Sequence, residues 1–199
     1  MNAPTLVFDL GGVVVPWVGF EAIAEMTGLS REIIDHRFGS DPALSQFETG
    51  RSGVDAFCHA LPDAYDLDLD PAEVPALWNS WVRPPFPGVV EAIRALNATH
   101  RTACLSNTNA LHWEHLQTFF STDALFDVPM ASHILQRAKP DPAIYAAAQK
   151  QLGAEPADIW FFEDTARNLD AARDAGWTVY PVDRAHGVLP VLRELGLAG

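Results

Sequence analysis

Leu6-Val7-Phe8-Asp9-Leu10-Gly11-Gly12 is a short apolar run that halts at an aspartate and a pair of glycines. A run of this length, closed by a turn signal, reads as a buried strand rather than a helix. Three later stretches repeat the pattern. Thr102-Ala103-Cys104-Leu105 ends in Ser106-Asn107, Ile159-Trp160-Phe161-Phe162 ends in Glu163-Asp164, and Thr178-Val179-Tyr180 leads to Asp183. Each apolar strand therefore terminates in polar residues.

Helical stretches separate these strands. Asp141-Pro142 supplies an N-cap and a first-turn proline for one that Gly153 closes, and Thr165 opens another that Gly176 closes. Val89 to Ala98 forms a third. Strands alternating with helices predict a parallel sheet covered on both faces, and ligands of such sheets bind at the carboxyl ends of the strands. The polar strand ends are thus expected to converge on one site.

Residues 17–83 break the rhythm. They hold no comparable strand but several helix starts: Ser30, Asp41-Pro42, Ser52 with Asp55 in capping-box spacing, and Asp70-Pro71 with Glu73 three residues past the cap. Pro84-Pro85-Phe86-Pro87-Gly88 marks a stiff return. The expected organisation is an α/β core from 1–16 and 84–199, with a helical insert over 17–83.

Composition bounds the function. A chain of 199 residues, 48% hydrophobic, buries a sizeable core and leaves no room for two large domains. A net charge of -13 without a basic patch argues against a nucleic-acid or anionic membrane partner. It also repels anionic ligands at long range, so an anion site needs a cation, a lysine or helix N-termini placed locally. Cys58 and Cys104 lie in apolar surroundings and read as core residues, not as a disulfide. Met1 to Thr5 lacks the features of a signal peptide, and no apolar run reaches the roughly 18 residues of a membrane span. A soluble cytoplasmic protein is expected. Oligomeric state leaves no signal.

In order and spacing, Phe8-Asp9-Leu10-Gly11-Gly12-Val13, Leu105-Ser106-Asn107-Thr108-Asn109, Lys139-Pro140-Asp141-Pro142-Ala143-Ile144-Tyr145 and Phe162-Glu163-Asp164-Thr165 with Asn168 resemble the four motifs of the haloacid dehalogenase-like superfamily. Ser106-Asn107-Thr108-Asn109 followed by Leu111-His112 most resembles a bacterial sugar-phosphatase branch similar to alpha-D-glucose-1-phosphate phosphatase. The resemblance implies a Rossmann-like sheet core with a small helical cap inserted after the first strand. It also implies a Mg2+-dependent phosphatase acting on a small phosphorylated metabolite, with the cap choosing the substrate.

The chemistry accounts for these residue types. Asp9, at a strand tip, is expected to attack phosphorus and carry the phosphoryl group, dividing one hard hydrolysis into two steps. A hard cation must bridge the two anions that meet there. The resemblance assigns it the Asp9 and Asp164 carboxylates and the Gly11 carbonyl, with Glu163 either a further ligand or an acceptor behind them. Ser106 and Asn107 are expected to bind the phosphoryl oxygens, and Lys139 to neutralise charge that the cation does not reach. In the insert, Arg51 is a candidate substrate contact, and Trp17, Phe20, Phe47, Trp78 and Trp81 are candidates to line the pocket. Taken singly, each has a plain reading as cap, surface charge or helix packing.

Gly11 departs from the usual pattern, in which a second aspartate protonates the leaving alkoxide and then activates water. Water, His112 or Glu48 are the candidates to substitute. Two other readings remain open at this level: a metal-free 2-haloacid dehalogenase, whose aspartate attacks carbon, and a weakly active binding protein that keeps the fold.

Overall fold

The computed structural model describes residues 3–199. Residues 1 and 2, part of the expected core segment and of the expected leaderless N-terminus, lie outside the described residues. Five strands, Thr5–Phe8 (β1), Thr102–Ser106 (β2), Val128–Ala131 (β3), Ile159–Glu163 (β4) and Thr178–Pro181 (β5), form one parallel sheet in the order β3-β2-β1-β4-β5. β1 is therefore central, and the chain builds outward from it first on one side and then on the other. That reversal opens a crevice at the carboxyl ends of β1, β2 and β4.

Side chains alternate across the sheet as period two requires. Leu6, Phe8, Cys104 and Phe162 face a core completed by Val89–Leu96 (α6, after the five helices of the insert) and by Leu189–Glu194 (α12). Val7, Ala103, Leu105, Met130 and Phe161 face the other core, under Pro142–Leu152 (α10) and Ala166–Asp174 (α11). Every residue of β1 and β2 is buried. Burying each Leu or Phe side chain contributes roughly 1.5–3 kcal/mol, which explains why these strands read as unbroken apolar runs. The remaining core helices are Ala110–Leu116 (α7), Thr122–Leu125 (α8) and Ser132–Leu135 (α9).

Residues 17–83 contain Gly19–Thr27 (α1), Arg31–Ser40 (α2), Pro42–Glu48 (α3), Val54–Tyr65 (α4) and Val74–Ser80 (α5). Their apolar faces meet in a separate cluster that includes Ile23, Ile34, Leu44, Phe57, Leu61, Val74 and Trp78. Trp17 and Val82 pair across the two connecting segments as an isolated antiparallel bridge. Among the described residues, no helix is long and apolar enough to cross a membrane. Cys58 and Cys104 are buried and unpaired.

Three local expectations are corrected. β3 was not among the expected strands: it lies at the sheet edge, where Pro129 is tolerated but breaks the apolar signal. Ser52 does not cap α4, whose N-cap is Gly53, and the Ser52 hydroxyl has no partner. Glu73 Oε2 does accept from the Asp70 amide at 3.2 Å, but Asp70 Oδ1 accepts from the Ala72 amide, at 2.8 Å, in place of that of Glu73. They close a turn, however, and α5 begins only at Val74.

Candidate active site

The carboxyl ends of the three central strands bring Asp9, Ser106 and Asp164 to the wall of a cavity of about 190 Å³, with Glu163 buried behind them. Asp9 directly follows β1, and its amide donates to the Phe162 carbonyl at 2.9 Å, tying the residue to β4. Beyond it the chain makes a tight loop in which the amides of Val14 and Val15 both donate to the Leu10 carbonyl, at 2.8 and 2.9 Å. Gly12 takes φ +75, and a Cβ there would lie 2.4 Å from Asp164 Oδ2. The glycine is thus required by close approach as well as by conformation.

Carboxylate oxygens of Asp9, Glu163 and Asp164 lie within 4.8 Å of one another. Lys139 Nζ sits 3.0 Å from Asp9 Oδ2 and 2.6 Å from Glu163 Oε2, with its side chain fully buried. Burial pushes the Asp9 carboxyl up to about 6, helped by Glu163 and opposed by Lys139. Burial and the nearby Asp9 charge likewise raise Asp164. For Lys139, burial acts downward, but Asp9 and Glu163 outweigh it and hold the ammonium charged. The arrangement is one buried cation among three carboxylates, so an acidic site remains with net negative charge and oxygen donors. Such a donor set suits a hard divalent cation.

Other groups are committed to holding this centre. Glu163 Oε1 accepts from the amides of Asp164 and Thr165 at 3.1 and 3.0 Å, so both of its oxygens are engaged. Asn107 clamps the Lys139 main chain: its Oδ1 accepts from the Lys139 amide at 2.7 Å and its Nδ2 donates to the Lys139 carbonyl at 2.8 Å. Thr165, at the N-cap of α11, turns its hydroxyl onto Asp164 Oδ1 at 3.3 Å instead of capping the helix. Ser106 ends β2, is buried and lines the cavity.

The insert supplies the opposite wall. Trp17, Phe20 and Trp78 line the cavity as expected, while Phe47 and Trp81 pack within the helical cluster. Arg51 is exposed and is not among the lining residues. Its amide donates to the Gln46 carbonyl at 2.7 Å in the turn that ends α3. Asp183 is also absent from the lining; it is exposed and pairs with His186 at 2.9 Å. The lining residues that sequence reasoning missed include Phe38, Arg167 and Arg184. Arg184 Nε lies 3.8 Å from Asp164 Oδ2 and its Nη2 donates to the Trp17 carbonyl at 3.4 Å, joining sheet and insert. A lone arginine on a loop carries no motif signal.

The two candidates for acid-base work differ in setting. His112 is buried, stacks on Trp78 with ring centroids 5.0 Å apart, and points Nε2 at the Trp78 carbonyl, 2.9 Å away. Burial pushes it down to about 4, so it is a neutral packing residue. Glu48 is partly buried and lines the cavity. Burial pushes its carboxyl up to about 7 against the opposing influence of Arg167 and Lys139.

A family model described as haloacid dehalogenase-like hydrolase matches residues 4–176. The Mycobacterium tuberculosis protein named Phosphatase MT3486 is 29% identical over 98% of this chain and 96% of its own length. The Phosphorylated carbohydrates phosphatase of Thermotoga maritima is 29% identical over 54% of this chain, which spans about half (48%) of that relative. Among solved structures, the HAD family enzyme BT-2542 of Bacteroides thetaiotaomicron, in complex with magnesium and inorganic phosphate, superimposes with a TM-score of 0.80 at 22% identity, covering 96% of this chain and all (100%) of the other.

Proposed function

The chain belongs to the haloacid dehalogenase-like hydrolases, and from that premise we propose that it is a Mg2+-dependent phosphatase of a small phosphorylated metabolite, with Asp9 as its nucleophile. One observation carries the reading: Asp9, at the tip of the central strand, shares a buried site with Asp164 and with Lys139 at 3.0 Å. The name of the full-length Mycobacterium relative supports the reaction class. The name of the Thermotoga relative and the aromatic wall of Trp17, Phe20, Phe38 and Trp78 support a sugar phosphate, whose C–H faces pack on aromatic rings.

In this reading the Asp9 carboxylate attacks phosphorus and forms an aspartyl phosphate, which water then hydrolyses. Asp9 and Asp164, with the Gly11 carbonyl, would hold Mg2+. When bound, that ion supplies positive charge between nucleophile and phosphate. Lys139 balances a further negative charge beside Asp9, and Ser106 with the amides that follow binds phosphoryl oxygens. Glu163, with both oxygens engaged, acts by holding Lys139 and the Asp164-Thr165 turn. Asn107 acts likewise through the Lys139 backbone. Residues 17–83 are the cap that chooses the substrate, and the setting is cytoplasmic.

Initial rates on p-nitrophenyl phosphate and glucose 1-phosphate test the proposal. Hydrolysis is expected with Mg2+, is expected to stop with chelator, and is expected to vanish in Asp9→Asn. Turnover that survives chelation overturns it. Chloride release from 2-chloropropionate without metal would establish the dehalogenase instead.

A further inference from the structure

A phosphatase of this design lacks a proton donor beside its nucleophile, because Gly11 stands where an acid is usual. Among the described residues, the ionisable groups lining the cavity are Asp9, Glu48, His112, Asp164, Arg167 and Arg184. A guanidinium offers donors and no acceptor, so neither arginine can take a proton from water. In the proposed function Asp9 is the nucleophile and Asp164 a metal ligand. His112 has Nε2 at the Trp78 carbonyl and Nδ1 3.5 Å from Asn109 Nδ2, so neither ring nitrogen is free. Glu48 remains.

Glu48 is held by the core rather than carried on a loose lid. It is the last residue of α3, and the Ser132 hydroxyl donates to its carbonyl at 2.6 Å. The same hydroxyl oxygen accepts from the Thr108 amide at 2.9 Å. Ser132 directly follows β3 and Thr108 lies two residues past β2, so the end of α3 rests on the carboxyl edge of the sheet. Gly50, at φ +64, passes so near α9 that a Cβ would lie 2.2 Å from the His133 carbonyl oxygen. The seat of Glu48 is therefore a close-packed joint.

We infer that Glu48 is the general acid and base of the reaction, a role that rests on the phosphatase reading. As the Asp9 oxygen bonds to phosphorus and the ester P–O bond breaks, the Glu48 carboxylic acid gives its proton to the leaving alkoxide. The resulting carboxylate then takes a proton from the water that attacks the aspartyl phosphate. Inorganic phosphate leaves, Asp9 returns as carboxylate and Glu48 as acid. The charges that act on Glu48 are those of Arg167 in α11, Lys139 in the turn before α10, and Asp9 after β1. Its elevated pKa, about 7, makes both protonation states available near neutrality.

Glu48→Gln, compared on two leaving groups, tests the role. Hydrolysis of glucose 6-phosphate, whose alkoxide needs a proton, is expected to fall in kcat by roughly 10²- to 10⁴-fold with KM little changed. With 2,4-dinitrophenyl phosphate, whose phenolate leaves unaided, the variant is expected to release a burst of one phenolate per enzyme and then stall as the phosphoenzyme. Glu48→Asp, which keeps an acid at shorter reach, is expected to recover part of the alkyl activity and serves as the check if the glutamine variant folds poorly. Equal losses on both substrates without a burst, or alkyl turnover within threefold of the wild type, overturn the assignment. A wild-type chain inert toward every phosphate ester with Mg2+ would instead remove the phosphatase reading beneath it.

Discussion

Lys139 Nζ lies 2.6 Å from Glu163 Oε2, and neither side chain has any solvent exposure. The pair belongs to a triad with Asp9, so removing the single cation leaves two buried carboxylates unpaired. Breaking a buried pair from one side costs about 3–5 kcal/mol, far more than a surface ion pair contributes. Lys139→Met is expected to lose that much stability in urea unfolding. The double variant with Glu163→Gln should recover part of the stability and none of the turnover. A Lys139→Met variant within about 1 kcal/mol of the wild type would contradict the pairing.

Gly12 is expected to tolerate no side chain. Gly12→Ala forces φ +75 on an alanine and drives its Cβ into Asp164 Oδ2. The backbone part costs about 1–2 kcal/mol. Gly28 shares the conformation, with φ +69, but has nothing within 4 Å of a Cβ, so Gly28→Ala isolates that part. In denaturant unfolding Gly28→Ala should lose only the backbone part and Gly12→Ala more than that, because of the added clash. Gly12→Ala alone should raise the Mg2+ concentration needed for half-maximal activity and cut kcat/KM at least tenfold, equivalent to about 1.4 kcal/mol.

The contrast between these residues shows how much was legible in the sequence. Asp9, Ser106, Lys139, Glu163 and Asp164 each sit at a strand tip or helix start, so a local pattern placed them, and the sheet brought them together. The wall opposite them has no such grammar. Arg184 enters the site because a loop carries it between Asp164 and the Trp17 carbonyl, a contact 167 residues apart in the chain. Phe38 projects from α2, whose apolar face is weakly marked, and packing against Trp17, Phe20, Tyr65 and Trp78 brings it to the cavity. Arg51 and Glu48 were equally plausible by composition. The turn at Gly50 separates them, and that turn is set by its seat against α9.

His112 is expected to make the fold acid-sensitive. Its folded pKa, about 4, lies below the unfolded value of 6.5. The unfolded chain therefore binds more protons between these values, and stability is lost as pH falls from 6.5 toward 4. The amount is on the order of 3 kcal/mol for one fully buried group. Asp9 and Glu48, whose folded pKa values are raised, run in the opposite sense. Comparing wild type with His112→Gln cancels them. The stability gap between the two is expected to shrink between pH 7 and 4.5 in urea unfolding, and a gap independent of pH would show that His112 titrates normally.

Asp9 is expected to oppose folding until a cation arrives. In the metal-free chain its pKa is raised from 3.8 to about 6, since burial and Glu163 outweigh Lys139. A carboxyl raised in this way binds its proton more tightly when folded, so it removes stability as pH rises through about 6. At pH 8 in chelator, Asp9→Asn is therefore expected to unfold at a higher temperature than wild type. The gain is on the order of 2–3 kcal/mol, or several degrees for a chain of this size. At pH 5 the gap should narrow to about half, and it should close only as pH falls to the unfolded value of 3.8. Adding Mg2+ reverses the order, because binding to the folded state alone stabilises by RT ln(1 + [L]/Kd), and the variant has lost a ligand. An Asp9→Asn variant that is less stable than wild type at pH 8 without metal would mean that the Lys139 pairing, not burial, governs this carboxylate.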